Sequence, residues 1–147
     1  MDKVWVQMCE ADGLDPLQRL AARREILGNP QALDCTLYRA DEDDPDAEEE
    51  DLGDARILFR GAFQPPAEWD AEACAAYFDE DDPALFFHAF IECEAEPAAR
   101  GFFTPDVGDY VAVMLAEGGV AMYYVHDWHE DDQGRLCVLI RDDEELE

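Results

Sequence analysis

The chain contains no serine and only one lysine, one asparagine and two threonines among its 147 residues. Without serine a serine-based catalytic triad is excluded, because that mechanism needs a serine hydroxyl beside a general base. There is also no glycine-rich loop of the phosphate-binding type, so nucleotide sites of that class are excluded as well. The exposed polar surface must therefore be built mainly from aspartate and glutamate.

Basic side chains are scarce, since 10 lysines and arginines stand against 38 aspartates and glutamates and leave a formal net charge of −28. Nucleic acid is held largely by lysine and arginine on its phosphates, so this imbalance excludes direct nucleic-acid binding and favours basic partners. The charge is uneven: residues 1–39 carry −1 and residues 40–147 carry −27. Removing the ten carboxylates of the acidic run 41–54 would still leave −18, so acidity belongs to the folded body as well as to that run.

Long apolar runs are missing too, and no stretch reaches the roughly 18 residues that indicate a membrane helix. The N-terminus lacks the basic-then-apolar order of a signal peptide, so we expect a cytoplasmic protein with no membrane partner. Five cysteines are an odd number at wide spacing, which favours reduced thiols in a core over a disulfide framework. They are Cys9, Cys35, Cys74, Cys93 and Cys137.

Periodicity and turn signals predict one acidic α+β domain over residues 1–147. We expect an antiparallel sheet of about five to six strands with two or three helices packed on one face. The predicted helices are 16–28 and 68–78, and the apolar segment 84–93 is ambiguous but favours a helix. The predicted strands are 3–9, 35–39, 56–60, 110–116, 120–125 and 135–141. Residues 41–54 are predicted to form a mobile acidic loop and residues 142–147 a frayed acidic tail.

The helix 16–28 has the clearest local signals, with an N-capping aspartate, a proline at its first position and a glycine at its end. It carries Arg19, Arg23 and Arg24. In a chain so poor in bases, these three side chains are expected to form its only basic surface of any size.

Candidate catalytic and metal sites are weak. His126 and His129 lie beside carboxylates and could bind a divalent ion, but on a strand they would point to opposite faces, which favours a polar hairpin end. A cysteine nucleophile needs its thiolate form, which surrounding carboxylates disfavour. His88 is expected to be a histidine at the edge of the core. We therefore expect no metal, no cofactor, no catalytic residues and no enzymatic activity.

From Arg56 to about residue 130 the order of features resembles the YodL-like domains of conjugative-element accessory proteins. The shared features are a strand ending in Arg60-Gly61, a helix ending in Tyr77-Phe78, the segment 101–113 with its Val107-Gly108-Asp109, and a strand that holds Tyr123-Tyr124. This resemblance implies a setting on mobile DNA and carries no catalytic residues. Residues 127–130 depart from the family's usual closing segment.

By charge alone, the chain also resembles the acidic DNA mimics that mobile elements direct against defence systems. The sequence thus predicts a DNA mimic, an anti-CRISPR or anti-restriction protein that occupies the nucleic-acid channel of a basic effector complex. Carboxylates about 7 Å apart at alternate strand positions can replace phosphates there. The predicted partner-binding residues are Asp79, Glu80, Asp81, Asp82, Glu92, Glu94, Glu96, Glu130, Asp131 and Asp132.

Two other hypotheses stay open. The chain could be a non-catalytic interaction or accessory module of a mobile element, in which the arginines of the helix 16–28 or the apolar patch 86–90 contact the partner. It could also be a domain adapted to high salt, since abundant acids with almost no lysine are typical of such proteins. Replacing the acidic clusters with alanine would leave the partner of an interaction module bound, whereas it would release the partner of a DNA mimic. Folding that requires molar salt would indicate the high-salt hypothesis.

Overall fold

The computed structural model of the chain describes residues 3–40, 50–78 and 85–141. Within these ranges the longest helix has 13 residues, and none is both long and apolar enough to cross a membrane, which takes about 20 residues. In chain order the elements are α1 (Lys3–Ala11), α2 (Pro16–Gly28), β1 (Leu33–Arg39), β2 (Glu50–Ala62), α3 (Ala71–Phe78), β3 (Phe86–Cys93), β4 (Tyr110–Met114), β5 (Val120–Asp131) and β6 (Gly134–Arg141).

The six strands form a closed antiparallel barrel in the order β1-β2-β3-β6-β5-β4. The prediction of an open α+β sheet with helices on one face is therefore wrong. Closure comes from β4, which returns to pair with β1 and sets Thr36 opposite Ala112. The neighbours β4-β1-β2-β3 make a Greek key. Closing the sheet removes the two edges whose unpaired backbone groups an open sheet would expose.

The segment 84–93, for which the sequence favours a helix, contributes β3 instead. Ala89 and Ile91 point into the barrel core, while Phe86 and Phe90 on the outer side pack against other apolar residues. A strand that is covered on both faces needs no polar alternation. This two-sided burial explains why the apolar pattern did not distinguish a strand from a helix.

Residues 3–9, predicted as a strand, lie in α1. Trp5 and Cys9 are four positions apart and share one helical face, and each is only 3% exposed. The Trp5 indole Nε1 donates to the Pro16 carbonyl at 3.0 Å, which ties α1 to the start of α2. The alternation that indicates a strand leaves Val4 exposed, so the helical spacing of the two buried side chains decides the structure of this segment.

The remaining predicted elements are confirmed, with some shifts in their bounds. Helix α2 has the expected cap, because the Asp15 side chain accepts from the Leu17 N–H at 3.0 Å. Strand β2 begins at Glu50, so residues 50–54 belong to a strand and not to a loop. Residues 41–49 of the predicted loop and the predicted tail 142–147 lie outside the described residues.

The principal core fills the barrel. Its buried members are Cys35, Leu37, Ala55, Ile57, Ala89, Ile91, Val111, Val113, Ala121, Tyr123, Val125, Cys137 and Leu139. Two smaller clusters lie outside the barrel wall. One joins Ile26 of α2 to Leu58 and Phe90, and the other gathers Tyr77 and Phe78 of α3 with outward side chains of β3 and β6. The helices therefore cover separate parts of the barrel wall and not one face of a sheet.

The cysteine thiols give a first test of this core. Cys9, Cys35, Cys93 and Cys137 are buried, Cys74 of α3 is half-exposed, and all five are free. We expect iodoacetamide at pH 8 to alkylate Cys74 in the native protein and the other four only after denaturation, as read by peptide mass spectrometry. Rapid labelling of Cys35 or Cys137 in the native state would contradict the closed barrel.

Candidate functional site

Arg19 of α2 lies between two carboxylates at one end of the barrel. Its Nη2 donates to Glu92 at 2.5 Å and its Nε to Glu130 at 3.2 Å. The Arg19 and Glu92 side chains are only 5% and 6% exposed. Burial acts to lower the pKa of Arg19, but the two carboxylates outweigh it and raise that pKa. Burial raises the pKa of Glu92, and Arg19 opposes this effect.

Arg135 of β6 extends the same network. Its Nε donates to the second Glu130 oxygen at 2.7 Å, and its Nη1 donates to the Pro105 carbonyl. The guanidinium also lies over the Trp128 ring, 3.8 Å from its centroid. Glu130 is therefore shared between two arginines and is 14% exposed.

Three further arginines are engaged nearby. Arg39 forms a two-pronged pair with the buried carboxylate of Asp109, with both N–O distances at 2.8 Å. Arg23 is buried and donates to the Ala95 carbonyl at 2.9 Å, while Arg56 donates to the Ala32 carbonyl at 2.5 Å. The prediction that Arg19, Arg23 and Arg24 form a basic surface is wrong, because the first two are each 4% exposed.

This use of arginine makes the surface more acidic than the composition alone implies. Within the described ranges 17 of the 21 acidic side chains are exposed, whereas 4 of the 10 basic side chains are. The exposed bases are Lys3, Arg24, Arg60 and Arg100. The described surface therefore presents about four carboxylates for every cation.

Three exposed carboxylates flank one groove of about 280 Å³, here called the acidic groove: Asp34 of β1, Asp54 of β2 and Glu94 just after β3. The Glu94 N–H donates to the Asp54 carbonyl at 3.1 Å. All three carboxylates add to the burial that raises the pKa of Cys35 beneath them. Within the described ranges the cation paired with this groove is Arg56, 3.5 Å from Asp34.

The β5–β6 turn carries a second group of acids. Asp131 is exposed and Asp132 is half-buried. Asp132 accepts from the Asp15 N–H at 3.0 Å, which joins this turn to the linker between α1 and α2. Asp131 accepts from the Gln133 N–H at 2.8 Å. Both carboxylates therefore accept hydrogen bonds from the backbone and so stabilise the turn.

The six predicted partner-binding residues within the described ranges do not form one track. Glu94, Glu96 and Asp131 are exposed as expected. Glu92 and Glu130 point toward α2 and are paired with arginines, so they are not displayed to a partner. Residues 79–82 lie outside the described residues.

Asp34 and Asp54 are not among the partner-binding residues that the sequence predicts. The sequence pattern could have indicated them, because each aspartate directly precedes a small apolar residue, Cys35 or Ala55. Both of these apolar residues are buried, so the preceding aspartate points to the outer face of its strand. The prediction of a loop over residues 41–54 conceals the position of Asp54 on a strand. Its place in the acidic groove depends on the pairing of β2 with β1 and β3, which brings Thr36 and Glu94 to either side of it.

A second concave feature lies beside α3 and is here called the aromatic cleft, of about 250 Å³. Phe63 stacks on Tyr77 with ring centroids 5.1 Å apart, and Trp69 lies 5.1 Å from Tyr77 at a tilt. His88, Asp127 and Trp128 complete this part of the lining. Burial lowers the pKa of His88, so its imidazole is neutral at pH 7.

The surroundings of His126 are aromatic. His126 packs edge-on against Tyr77 and Phe86, with centroids 4.9 and 5.3 Å away. Strand β5 runs on to Asp131 with a bulge between Val125 and Asp127, where the sequence predicted that the strand would end. Among the residues that the structure describes, no three potential ligands come together as a metal site.

Three buried thiols and one buried cavity are poorly suited to catalysis. Burial raises the pKa of Cys9 and Cys35, and raises that of Cys137 to about 12. These thiols are therefore protonated at pH 7 and poor nucleophiles. The cavity beside Arg19 and Glu92 has a volume of about 30 Å³, which is room for a water molecule but not for a substrate.

Comparison with known proteins identifies no relative. No family model matches the chain, and no curated protein or solved structure is detectably similar to it.

Proposed function

We propose that this protein is a DNA mimic that binds a basic nucleic-acid-binding protein and displaces its nucleic acid. The observation that carries the proposal is the division of charge between interior and surface. Five arginines are engaged in internal pairs or backbone contacts, while 17 of the 21 described acids remain exposed. The folded chain therefore presents a polyanionic surface to a cationic cleft.

The acidic groove supplies the most ordered part of that surface. Asp54 and Glu94 are neighbours across two paired strands, where side chains stand about 5 Å apart, and diagonal neighbours are about 7–8 Å apart. A cleft that neutralises phosphates, with one duplex charge per about 1.7 Å of axis, can accept carboxylates at such spacings. Because they lie on or directly after strands of a closed barrel, their order is largely established before binding.

Keeping like charges together has an energetic cost. Like charges on neighbouring strand positions destabilise a sheet by a few tenths of a kcal/mol or more, and a net charge of −28 adds self-repulsion. When a basic partner binds, its cations remove the repulsion between the carboxylates. Long-range attraction also steers the partner toward the acidic surface. The acidic surface lowers the stability of the free protein and strengthens binding to a basic partner, which supports a functional reason for the acidity.

The setting we propose follows from the YodL-like resemblance. The protein belongs to a mobile element, acts in the cytoplasm without catalysis, and inhibits a CRISPR or restriction complex. Salt weakens such binding, because the contacts are exposed and screened over roughly 10 Å at 0.1 M.

A competition assay tests the proposal. The protein is titrated into a panel of restriction and CRISPR complexes holding fluorescent DNA, and displacement is read as loss of anisotropy. The triple variant Asp34→Asn, Asp54→Asn, Glu94→Gln is expected to lose about tenfold in potency, since three exposed pairs at roughly 0.5 kcal/mol each amount to about 1.5 kcal/mol.

The matched control removes the same three charges elsewhere. Glu10, Glu25 and Glu72 are exposed on α1, α2 and α3, and their change to glutamine should alter potency by less than about threefold. If no complex releases its DNA, or if the control loses as much as the groove variant, the proposal fails. Circular dichroism at 50 mM salt checks folding, and a chain that folds only in molar salt would favour the high-salt hypothesis instead.

A further inference from the structure

The aromatic cleft is unlike the rest of the surface, because ring faces and not carboxylates dominate its walls. Phe63, Trp69 and Tyr77 form one side, and none of them is fully buried. Its volume of about 250 Å³ is below the roughly 300–1,000 Å³ of pockets that enclose whole small molecules. The cleft has the dimensions of a slot for a single side chain.

Charge at the rim indicates the sign of that side chain. Asp127 lines the cleft and is exposed, and Glu68 and Asp70 flank Trp69 in the sequence and are exposed as well. Asp127 accepts from the Tyr77 hydroxyl at 3.3 Å and from the Trp128 N–H at 2.8 Å, so its carboxylate is oriented at the rim. Aromatic faces attract cations through their quadrupole, and the acidic rim acts in the same direction.

The described part of the chain already contains this combination internally. Arg135 lies 3.8 Å from the centroid of the Trp128 ring while its Nε donates to Glu130 at 2.7 Å. A planar guanidinium can stack on a ring and donate to a carboxylate at the same time, whereas the ammonium of lysine is a compact charge without a stacking face. Rings beside a carboxylate therefore favour arginine over lysine.

We propose that the aromatic cleft binds an arginine side chain of the basic partner, stacked on the Trp69 ring and paired with Asp127. The identity of the partner rests on the proposed function, but the binding of arginine by the cleft does not. The acidic groove supplies long-range attraction, and the cleft supplies a contact that distinguishes an arginine-rich surface from a lysine-rich one.

Nuclear magnetic resonance of the three tryptophan indoles tests this contact. Hexa-arginine amide and hexa-lysine amide, which carry equal charge, are titrated into the ¹⁵N-labelled protein. We expect hexa-arginine to shift the Trp69 indole resonance and to bind about threefold to tenfold more tightly than hexa-lysine. Trp5 is an internal control, since its indole is buried and bonded to Pro16, and it should not move.

Variants separate the cleft from general electrostatics. Trp69→Leu and the isosteric Asp127→Asn should each bring the affinities for the two peptides to within about twofold of each other, and Trp69→Phe should keep part of the preference. The acidic-groove variant should weaken both peptides equally and keep the preference for arginine.

The outcomes distinguish the two proposals. Equal affinities in the wild type, no movement of the Trp69 resonance, or a preference that survives Trp69→Leu would each overturn the arginine site. If the preference is found but no effector releases its DNA, the arginine site stands and the DNA-mimic proposal fails.

Discussion

Replacing Arg19 with alanine is expected to lower the free energy of unfolding by about 3–5 kcal/mol, as measured by urea denaturation followed by circular dichroism. The guanidinium holds two carboxylates, Glu92 and Glu130, at the covered end of the barrel. Its removal leaves Glu92 buried and without its ion-pair partner, which is the costly case for a charged group. The same argument predicts a similar loss for Glu92→Ala.

Two controls sharpen this prediction. The Arg56–Asp34 pair is longer, at 3.5 Å, and the Asp34 side chain is 69% exposed, so Asp34→Asn should change the unfolding free energy by less than about 1 kcal/mol. The double variant Arg19→Met, Glu92→Leu removes both buried charges and should recover most of the loss. A change below about 1 kcal/mol for Arg19→Ala would mean that the buried network is not formed.

Replacing Gly134 with alanine is expected to destabilise the fold by roughly 2–5 kcal/mol, through backbone strain and overpacking together. Gly134 starts β6 with a φ of +130°, and a Cβ there would lie 3.0 Å from the Phe90 ring and 3.2 Å from Ile26. Those two side chains belong to the contact between α2 and the barrel wall. The substitution therefore pushes α2 away from β3.

The matched control is Gly61→Ala. Gly61 also has a positive φ, +109°, but a Cβ there meets nothing within 4 Å, so its cost should be limited to strain of about 1–3 kcal/mol. Thermal unfolding of both variants gives the difference. Equal losses at the two positions would show that α2 does not press on β6 as closely as the structure indicates.

These two predictions bear on function because α2 controls the surface charge. The helix covers Glu92 with Arg19 and holds Arg23 against the Ala95 carbonyl. If α2 were displaced, two cations would reach the surface and one carboxylate would lose its partner. The acidic surface on which the DNA-mimic proposal rests is therefore maintained by the packing of one helix.

Capping and turn residues in the sequence correctly predicted those elements whose ends depend on interactions between neighbouring residues. The Asp15 cap with Pro16 located the start of α2, and the paired glycines 118 and 119 located the β4–β5 turn. Each of these two features depends on backbone geometry that is determined by residues close together in the sequence. The α1 segment shows the limit of such reasoning, since its two-residue alternation indicated a strand while contacts of Trp5 and Cys9 with distant residues favour a helix.

Closure of the barrel could not be read in this way. It depends on the pairing of β4 with β1, whose partners Ala112 and Thr36 are 76 positions apart, and on β3 between β2 and β6. Neither pairing leaves a local trace, because each joins residues that are far apart in the sequence. In addition, β3 is covered on both faces and so lacks a distinctive periodicity.

By itself the sequence determined the net charge of −28, the scarcity of bases and the composition of a hydrophobic core. Only the tertiary structure decided which charges reach solvent. Glu92 shows the difference, since its position on the outer side of β3 would expose it if α2 did not place Arg19 over it. Total charge is a sum over residues, whereas its distribution depends on which surfaces folding brings into contact.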